Sequence, residues 1–272
     1  MNEQLNEVLP LVTKPVRYTG GEYNAYYTGS GSEQVRWVLA MPEVYEIGMS
    51  NYGLRILYSI LNRLDGVSCQ RCYVPWPDFG DLLRARQLPL YALESGQPLN
   101  EFDIIGVSLQ SELSYTNLLY LLDLARVPRH RSDRGNSDPL IVAGGPCTVN
   151  PLPLVDFVDV FVIGDGEDAV REISAVYADW NRKNRDELLS RLARLRGLFV
   201  PGYTDIRNQQ VERRIVTQLR EEDFPFPPIV PICEITHDRL TVEIARGCGR
   251  GCRFCQAGMI NRPVRFRDVD QI

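Results

Sequence analysis

The sequence lacks a long uninterrupted apolar run. One of its longest, residues 152–163, is interrupted by Pro153, Asp156 and Asp159, and it is shorter than the roughly 20 apolar residues that a membrane-spanning helix needs. The first twelve residues also lack a basic start followed by a continuous apolar core, because Glu3 and Glu7 lie among them. These absences argue against a membrane span and a secretion signal, so we expect a cytoplasmic protein with no membrane partner.

The sequence also lacks an even set of cysteines and a net positive charge. Of its seven cysteines, three lie within eight residues and the others are scattered, which argues against a disulfide framework and predicts reduced thiols. A formal net charge of -5 argues against whole-domain electrostatic binding to nucleic acid. The exception is local, because six arginines lie in the cysteine segment: Arg246, Arg250, Arg253, Arg262, Arg265 and Arg267.

From Val35 onward, short apolar or β-branched runs alternate with helical patterns. The predicted strands are Val35–Met41, Val67–Val74, Phe102–Leu109, Leu140–Ala143 and Val158–Ile163. The predicted helices are Tyr52–Leu64, Leu118–Ala125 and Glu167–Trp180. This rhythm predicts an α/β fold with a doubly wound parallel sheet of the Rossmann or flavodoxin type, with ligands at the carboxyl ends of the strands.

The same pass along the chain predicts four segments. Residues 1–33 form an N-terminal extension, 34–180 the α/β domain, 181–239 a connector that includes a proline-rich passage, and 240–272 the start of another domain. A strand predicted over Leu240–Ala245 leads directly into the cysteine cluster.

The cluster places thiols at Cys248, Cys252 and Cys255, with glycines at 247, 249, 251 and 258. Glycine lets a backbone wrap closely around an inorganic cluster. Three thiolates can hold three irons of a cubane and leave the fourth iron open to a small molecule. A structural zinc site is the alternative, but it prefers four ligands, and the nearest other candidates, Cys233 and His237, lie upstream across a strand. A set of inert core cysteines is a further alternative.

The pattern of these cysteines, together with Phe254 and the preceding strand, resembles that of the radical S-adenosylmethionine (SAM) superfamily. The wider sequence resembles the vitamin B12-binding-domain radical SAM proteins, including 73–78, Gly144-Gly145 and 162–167. The resemblance implies that Cys248, Cys252 and Cys255 bind a 4Fe-4S cluster whose open iron is chelated by SAM. It also implies that Phe254 lies against the adenine, and that a flavodoxin or ferredoxin supplies the electron that cleaves SAM to a 5'-deoxyadenosyl radical.

The length of the final segment departs from this family. One β/α unit takes about 30 residues, whereas 17 residues (272 − 255) follow Cys255. We therefore expect only the first strand and the cluster loop of a truncated radical SAM partial TIM barrel, completed by a downstream polypeptide in a longer parent. The alternative is a non-catalytic α/β binding module with a vestigial cluster loop. The substrate is not indicated, and the arginines are compatible with RNA.

The resemblance also implies a cobalamin-binding-like domain over 34–180. In that fold a histidine that ligates cobalt often follows the first strand, but here Tyr45 stands at that place and only Gly48 of the loop motif is kept. Phenol is a poor cobalt ligand, so cobalamin coordinated by a histidine is not expected. Ser108, Gly144 and Gly145 lie at predicted strand ends where the nucleotide tail of cobalamin could pass. Ordinary turn chemistry and a purely structural domain are the alternatives. Cys69 and Cys72 form a C-x-x-C within a strand, which does not indicate a redox or zinc site.

Overall fold

The computed structural model describes residues 3–27, 33–205 and 210–272. Its main sheet has six strands in the order β2-β1-β3-β4-β5-β6, of which the first five are parallel and β6 is antiparallel. The strands are β1 (Val35–Met41), β2 (Val67–Tyr73), β3 (Ile104–Ser108), β4 (Leu140–Gly144), β5 (Val160–Val162) and β6 (Leu198–Phe199). Nearly every residue of β1 to β5 is buried, as expected for a parallel sheet that is covered on both faces.

Helices cover both faces of this sheet. In chain order they are α1 (Glu3–Val8), α2 (Tyr45–Gly48), α3 (Tyr52–Asn62), α4 (Pro77–Ala85), α5 (Tyr115–Leu124), α6 (Glu167–Ala178) and α7 (Arg185–Leu192). Apolar residues of α1, α4 and α5 join the core on one face, whereas those of α3, α6 and α7 join the core on the other. The fold is therefore doubly wound. The strand order reverses between β1 and β3, and ligands bind at such a switch point in open α/β sheets.

The predicted elements of this domain are confirmed, with ends that shift by a few residues. The stretch predicted as a connector contributes β6 to the sheet and α7 to the core, since Leu188, Leu189 and Leu192 are buried with the residues of α6. The helical spacing of these leucines is visible in the sequence, whereas the core against which their apolar stripe packs is not.

The strand predicted over Leu240–Ala245 is largely wrong. Only Ala245–Arg246 (β7) is a strand, and it pairs antiparallel with Arg265–Phe266 (β8). Between them lies the short helix α8 (Ala257–Ile260). A strand requires a backbone partner, and within the described residues the 240–272 segment supplies only this two-residue ladder, with no closed barrel.

The C-x-x-C of β2 is split by the sheet. Cys69 belongs to the core on the α3 side and Cys72 to the core on the α4 side, because side chains three residues apart in a strand point to opposite faces. Burial raises the pKa of both thiols. The sheet therefore keeps the two thiols on opposite faces, where they do not meet as a redox pair or as two ligands of one zinc ion.

Candidate cofactor site

A cavity of about 400 Å³ lies at the carboxyl ends of β1, β3, β4 and β5, between the sheet and helices α3 and α6. This volume falls within the roughly 300–1,000 Å³ typical of small-molecule sites. Its walls are mainly apolar, with Trp37, Leu39, Leu54, Leu57, Val142 and Val162 among them. The position is the one that the strand order predicts for a ligand.

Glycines make the space for this cavity. A Cβ atom at Gly106 would lie 2.8 Å from Leu39 Cδ2. Glycine at this position of β3 therefore leaves room for the Leu39 side chain of the neighbouring strand β1. A Cβ atom at Gly144 would have no heavy atom within 4 Å, so the end of β4 faces open space. Gly145 has φ +100°, and a Cβ atom there would lie 2.5 Å from the carbonyl oxygen of Leu109. The Gly144-Gly145 pair thus combines an open wall with a turn that only glycine adopts without strain.

The structure brings together three of the residues that the sequence indicated for cobalamin: Ser108, Gly144 and Gly145 all line the cavity. Ser108 Oγ accepts a hydrogen bond of 2.8 Å from Gln110 Nε2. The fourth residue, Gly48, is not in the cavity wall. A Cβ atom there would lie 2.1 Å from the Tyr73 ring, so glycine at 48 serves close packing of α2 on β2.

Tyr45 is also directed away from the cavity. It is buried in the core on the α3 side, and its hydroxyl donates a hydrogen bond of 3.0 Å to Glu22 Oε1. Burial, and then the adjacent Glu22 carboxylate, raise the pKa of this phenol far above its ordinary value. Glu22 is itself paired with the buried Arg71, at 2.9 Å. Tyr45 is therefore a neutral structural residue, outside the wall of the cavity.

The three clustered cysteines lie on a largely exposed loop that follows β7. Cys252 is exposed, Cys248 and Cys255 are partly buried, and all three are free thiols. Gly247 and Gly251 have φ of +92° and +68°, so the glycines do provide the left-handed turns that a wrapping loop requires. Phe254 is 93% exposed. Among the described residues, no three His, Cys, Asp or Glu side chains converge on a point that could hold a metal ion. The donor set thus fits an iron–sulfur cluster in chemistry, but its thiols are not preassembled.

The mouth of the cavity is formed by both the α/β domain and the cysteine segment, residues 240–272. Glu243, Arg246 and Asn261 line it together with Asp165 of the turn after β5 and Glu167 at the start of α6. Burial lowers the pKa of Arg246, but the carboxylates of Glu243 and Glu167 outweigh it and raise that pKa above its ordinary value. The sequence indicated the 162–167 motif only as part of a resemblance, and it gave no sign that this turn meets Arg246. An ion pair between residues about 80 positions apart leaves no pattern in the local sequence.

The fold and this site define an α/β protein with a ligand cavity at the sheet's switch point, which is lined in part by residues on either side of a cysteine loop. Within residues 53–201, more than half of its length, the chain matches the family model for radical SAM proteins, N-terminal. The chain belongs to this family of radical SAM proteins. The sequence-based assignment to the superfamily is confirmed.

Related proteins extend this picture. An uncharacterised protein of Methanocaldococcus jannaschii is 27% identical over 208 residues, which cover 76% of this chain and 41% of that protein. The chain therefore spans about two fifths of the length of this relative. Among solved structures, the radical S-adenosylmethionine methyltransferase TsrM of Kitasatospora setae, with cobalamin and a 4Fe-4S cluster bound, matches with a TM-score of 0.53 and 15% identity. The match covers 87% of this chain and 44% of TsrM.

A second structure of TsrM, with its tryptophan substrate and the SAM analogue aza-SAM bound, matches with a TM-score of 0.50 and 13% identity, over 87% of this chain and 43% of that one. At these identities the likeness concerns the fold alone, and it confirms the predicted α/β class.

No helix among the described residues is long and apolar enough to span a lipid bilayer.

Proposed function

We propose that this chain provides the cluster loop and a corrinoid-binding α/β domain of a radical SAM enzyme. The observation that carries the proposal is the cavity at the switch point, whose mouth is formed in part by the segment that holds Cys248, Cys252 and Cys255. A cofactor in this cavity would lie beside the cysteine loop. Family membership supports the radical SAM part, and the apolar, glycine-lined cavity supports the corrinoid part.

The three cysteine thiolates are the proposed ligands of a 4Fe-4S cluster. When SAM is bound at its open iron, such a cluster supplies the electron for reductive cleavage of SAM. This chain's own contribution is to hold the cluster by three bonds and to leave one iron free. The exposed Phe254 is available to stack on the adenine. A flavodoxin or ferredoxin is the proposed electron donor, and the remaining contacts to SAM are proposed to come from a further polypeptide. RNA is one proposed substrate, supported by the exposed arginines Arg250, Arg253 and Arg262.

Anaerobic reconstitution with iron and sulfide tests the cluster. We expect about four irons and a similar amount of sulfide per chain, with a broad visible absorption, because three thiolates suffice for a site-differentiated cubane. The measurements are iron, sulfide and zinc analyses of the desalted protein. Stoichiometric zinc without sulfide would show that the loop is a zinc site and would contradict the proposal.

The corrinoid is proposed to bind with its nucleotide tail in the cavity, where Ser108, Gly144 and Gly145 line the wall. Among the described residues, the cavity wall includes no histidine that could ligate cobalt, and Tyr45 lies outside that wall with its hydroxyl bonded to Glu22. The imidazole of His130 does not line the cavity either: it lies on a polar loop, with its ring centroid 5.0 Å from that of Phe157. We therefore expect hydroxocobalamin to bind without a protein ligand to cobalt.

Tyr45→Phe tests this assignment. The visible spectrum of bound hydroxocobalamin should be the same in the variant and in the wild type, because the phenol does not reach the cavity. The free energy of unfolding should fall by about 1–2 kcal/mol, since Glu22 loses a buried hydrogen-bond donor. The two measurements are the cobalt spectrum and urea denaturation. A shifted spectrum would show that Tyr45 coordinates cobalt and would overturn the assignment.

A further inference from the structure

The turn between β5 and α6 holds the cysteine segment by charge. Asp165 in this turn and Glu167, the first residue of α6, both contact Arg246, which stands two residues before Cys248. Arg246 Nη1 lies 3.3 Å from Asp165 Oδ1, and it also bonds to Glu167 Oε1. On its other side, Arg246 Nε lies 2.9 Å from Glu243 Oε1. A single guanidinium therefore joins the α/β domain to the strand that leads into the cluster loop.

Two more arginines of the same segment complete this contact. Arg265 bonds to Asp165 and donates a hydrogen bond of 2.9 Å to the carbonyl oxygen of Val216, while Arg267 Nη2 lies 2.9 Å from Glu243 Oε2. The side chains of Arg265 and Arg267 are only 6% and 1% exposed. They form neither a solvated basic face nor free charges aimed at the cluster. Three carboxylates and three arginines thus form one balanced, largely buried network.

This network lies at the cavity itself. Asp165, Glu167, Glu243 and Arg246 all line the cavity, together with the Ser108 and Gly144 wall. A ligand there would contact both sides of the junction. Removing one carboxylate from such a network leaves its buried arginine charge incompletely compensated, which costs more than loss of an exposed salt bridge.

We propose that Asp165 and Glu167 are positioning residues that hold Arg246, and with it the loop 247–255, over the cavity mouth. This is the seated position of the loop. A corrinoid in the cavity and the loop in its seated position stabilise each other. The coupling with the corrinoid rests on the proposed function, whereas the seating of the loop does not. Coupling between two sites is reciprocal, and its usual size is about 5–150-fold in affinity. Neither residue is required to touch the reacting atoms.

Glu167→Gln tests the seating. The variant keeps the size of the side chain and removes its charge. Glu172→Gln is the matched control, because Glu172 lies on the same helix and pairs with Arg214, outside the cavity wall. The reporter is the rate at which iodoacetamide alkylates the partly buried Cys248 in the full, cluster-free chain, resolved by peptide mass spectrometry. We expect this rate to rise by at least about 5-fold in Glu167→Gln and to stay unchanged in Glu172→Gln.

Hydroxocobalamin then tests the coupling. At saturation it should slow alkylation of Cys248 in the wild type and in Glu172→Gln, and slow it much less in Glu167→Gln. Equal ligand-free rates in Glu167→Gln and Glu172→Gln would overturn the seating, and equal protection by hydroxocobalamin in the two would overturn the coupling. If the wild type does not retain hydroxocobalamin, both the corrinoid part of the proposed function and the coupling are contradicted. The alkylation rates without ligand still test the seating of the loop.

A global loss of structure would imitate loss of the seating. Amide hydrogen exchange of the buried strand β3 therefore accompanies each variant and should match that of the wild type. If Glu167→Gln fails this check, Arg246→Lys replaces it, because lysine keeps the charge but loses the planar fork that spans two sides. Arg246→Lys should also speed alkylation of Cys248, and an unchanged rate in a folded Arg246→Lys protein would contradict the seating.

Discussion

Cys252→Ala is expected to lose the whole iron–sulfur cluster on anaerobic reconstitution. Two thiolates cannot hold a site-differentiated cubane that already lacks its fourth protein ligand. Among the described residues, no His, Cys, Asp or Glu side chain forms a metal-binding group with the cysteines of this loop that could replace a missing thiolate. The expected change is from about four irons per chain to none that survives desalting, together with loss of the visible absorption.

Cys233→Ala is the matched control for this loss. Cys233 is also a free, partly buried cysteine, but it packs against the core of the α/β domain, away from the loop. Iron and sulfide contents of Cys233→Ala should equal those of the wild type. Retention of the full cluster in Cys252→Ala, or its loss in Cys233→Ala, would show that the ligand set is misassigned.

Gly144→Phe is expected to weaken hydroxocobalamin binding by at least about 100-fold, which corresponds to about 2.7 kcal/mol. A Cβ atom at Gly144 meets nothing within 4 Å, and the φ of Gly144 lies outside the left-handed region, so the backbone accepts a side chain. The phenylalanine ring would project into the cavity and occupy the space proposed for the nucleotide tail. Equilibrium dialysis measures the affinity.

The fold should tolerate this substitution, because the added ring enters space that is open in the structure. Gly135→Phe is the control, since Gly135 lies on an exposed loop where a Cβ atom would meet only Asp138 Oδ2, at 3.8 Å. Both variants should unfold within about 1 kcal/mol of the wild type. Undiminished binding of hydroxocobalamin by Gly144→Phe would place the corrinoid outside this cavity.

The α/β domain was predictable because its signals are local. β-branched runs such as those of β1 and β4 are buried on both faces and read as continuous apolar stretches. Asn51, between α2 and α3, caps α3 by accepting a hydrogen bond of 2.8 Å from the amide of Leu54. The strand ends carrying Ser108 and Gly144-Gly145 followed from these elements, and a parallel sheet places such ends along one edge.

The misplaced features depend on partners distant in sequence. The strand predicted from Leu240 onward lacks a neighbour over most of its length, and strand formation depends on that neighbour rather than on the apolar residues themselves. Gly48 matched a loop motif, but whether this glycine faces a ligand or a packed ring depends on the Tyr73 side chain, which comes from the end of β2. The arginines after the cluster gave no sign of being buried, because their carboxylate partners lie up to 100 residues away.

The sequence by itself determined the class of fold, the free thiols at Cys248, Cys252 and Cys255, and the glycines that allow their loop to turn, because spacing and backbone freedom are properties of consecutive residues. Only the tertiary structure decided that Asp165 and Glu167 meet Arg246 at the cavity mouth, and that Tyr45 is bonded to Glu22 instead of facing a cofactor. Burial makes the difference: a charged or phenolic group removed from water must find a partner, and the partner is chosen by packing rather than by position in the chain.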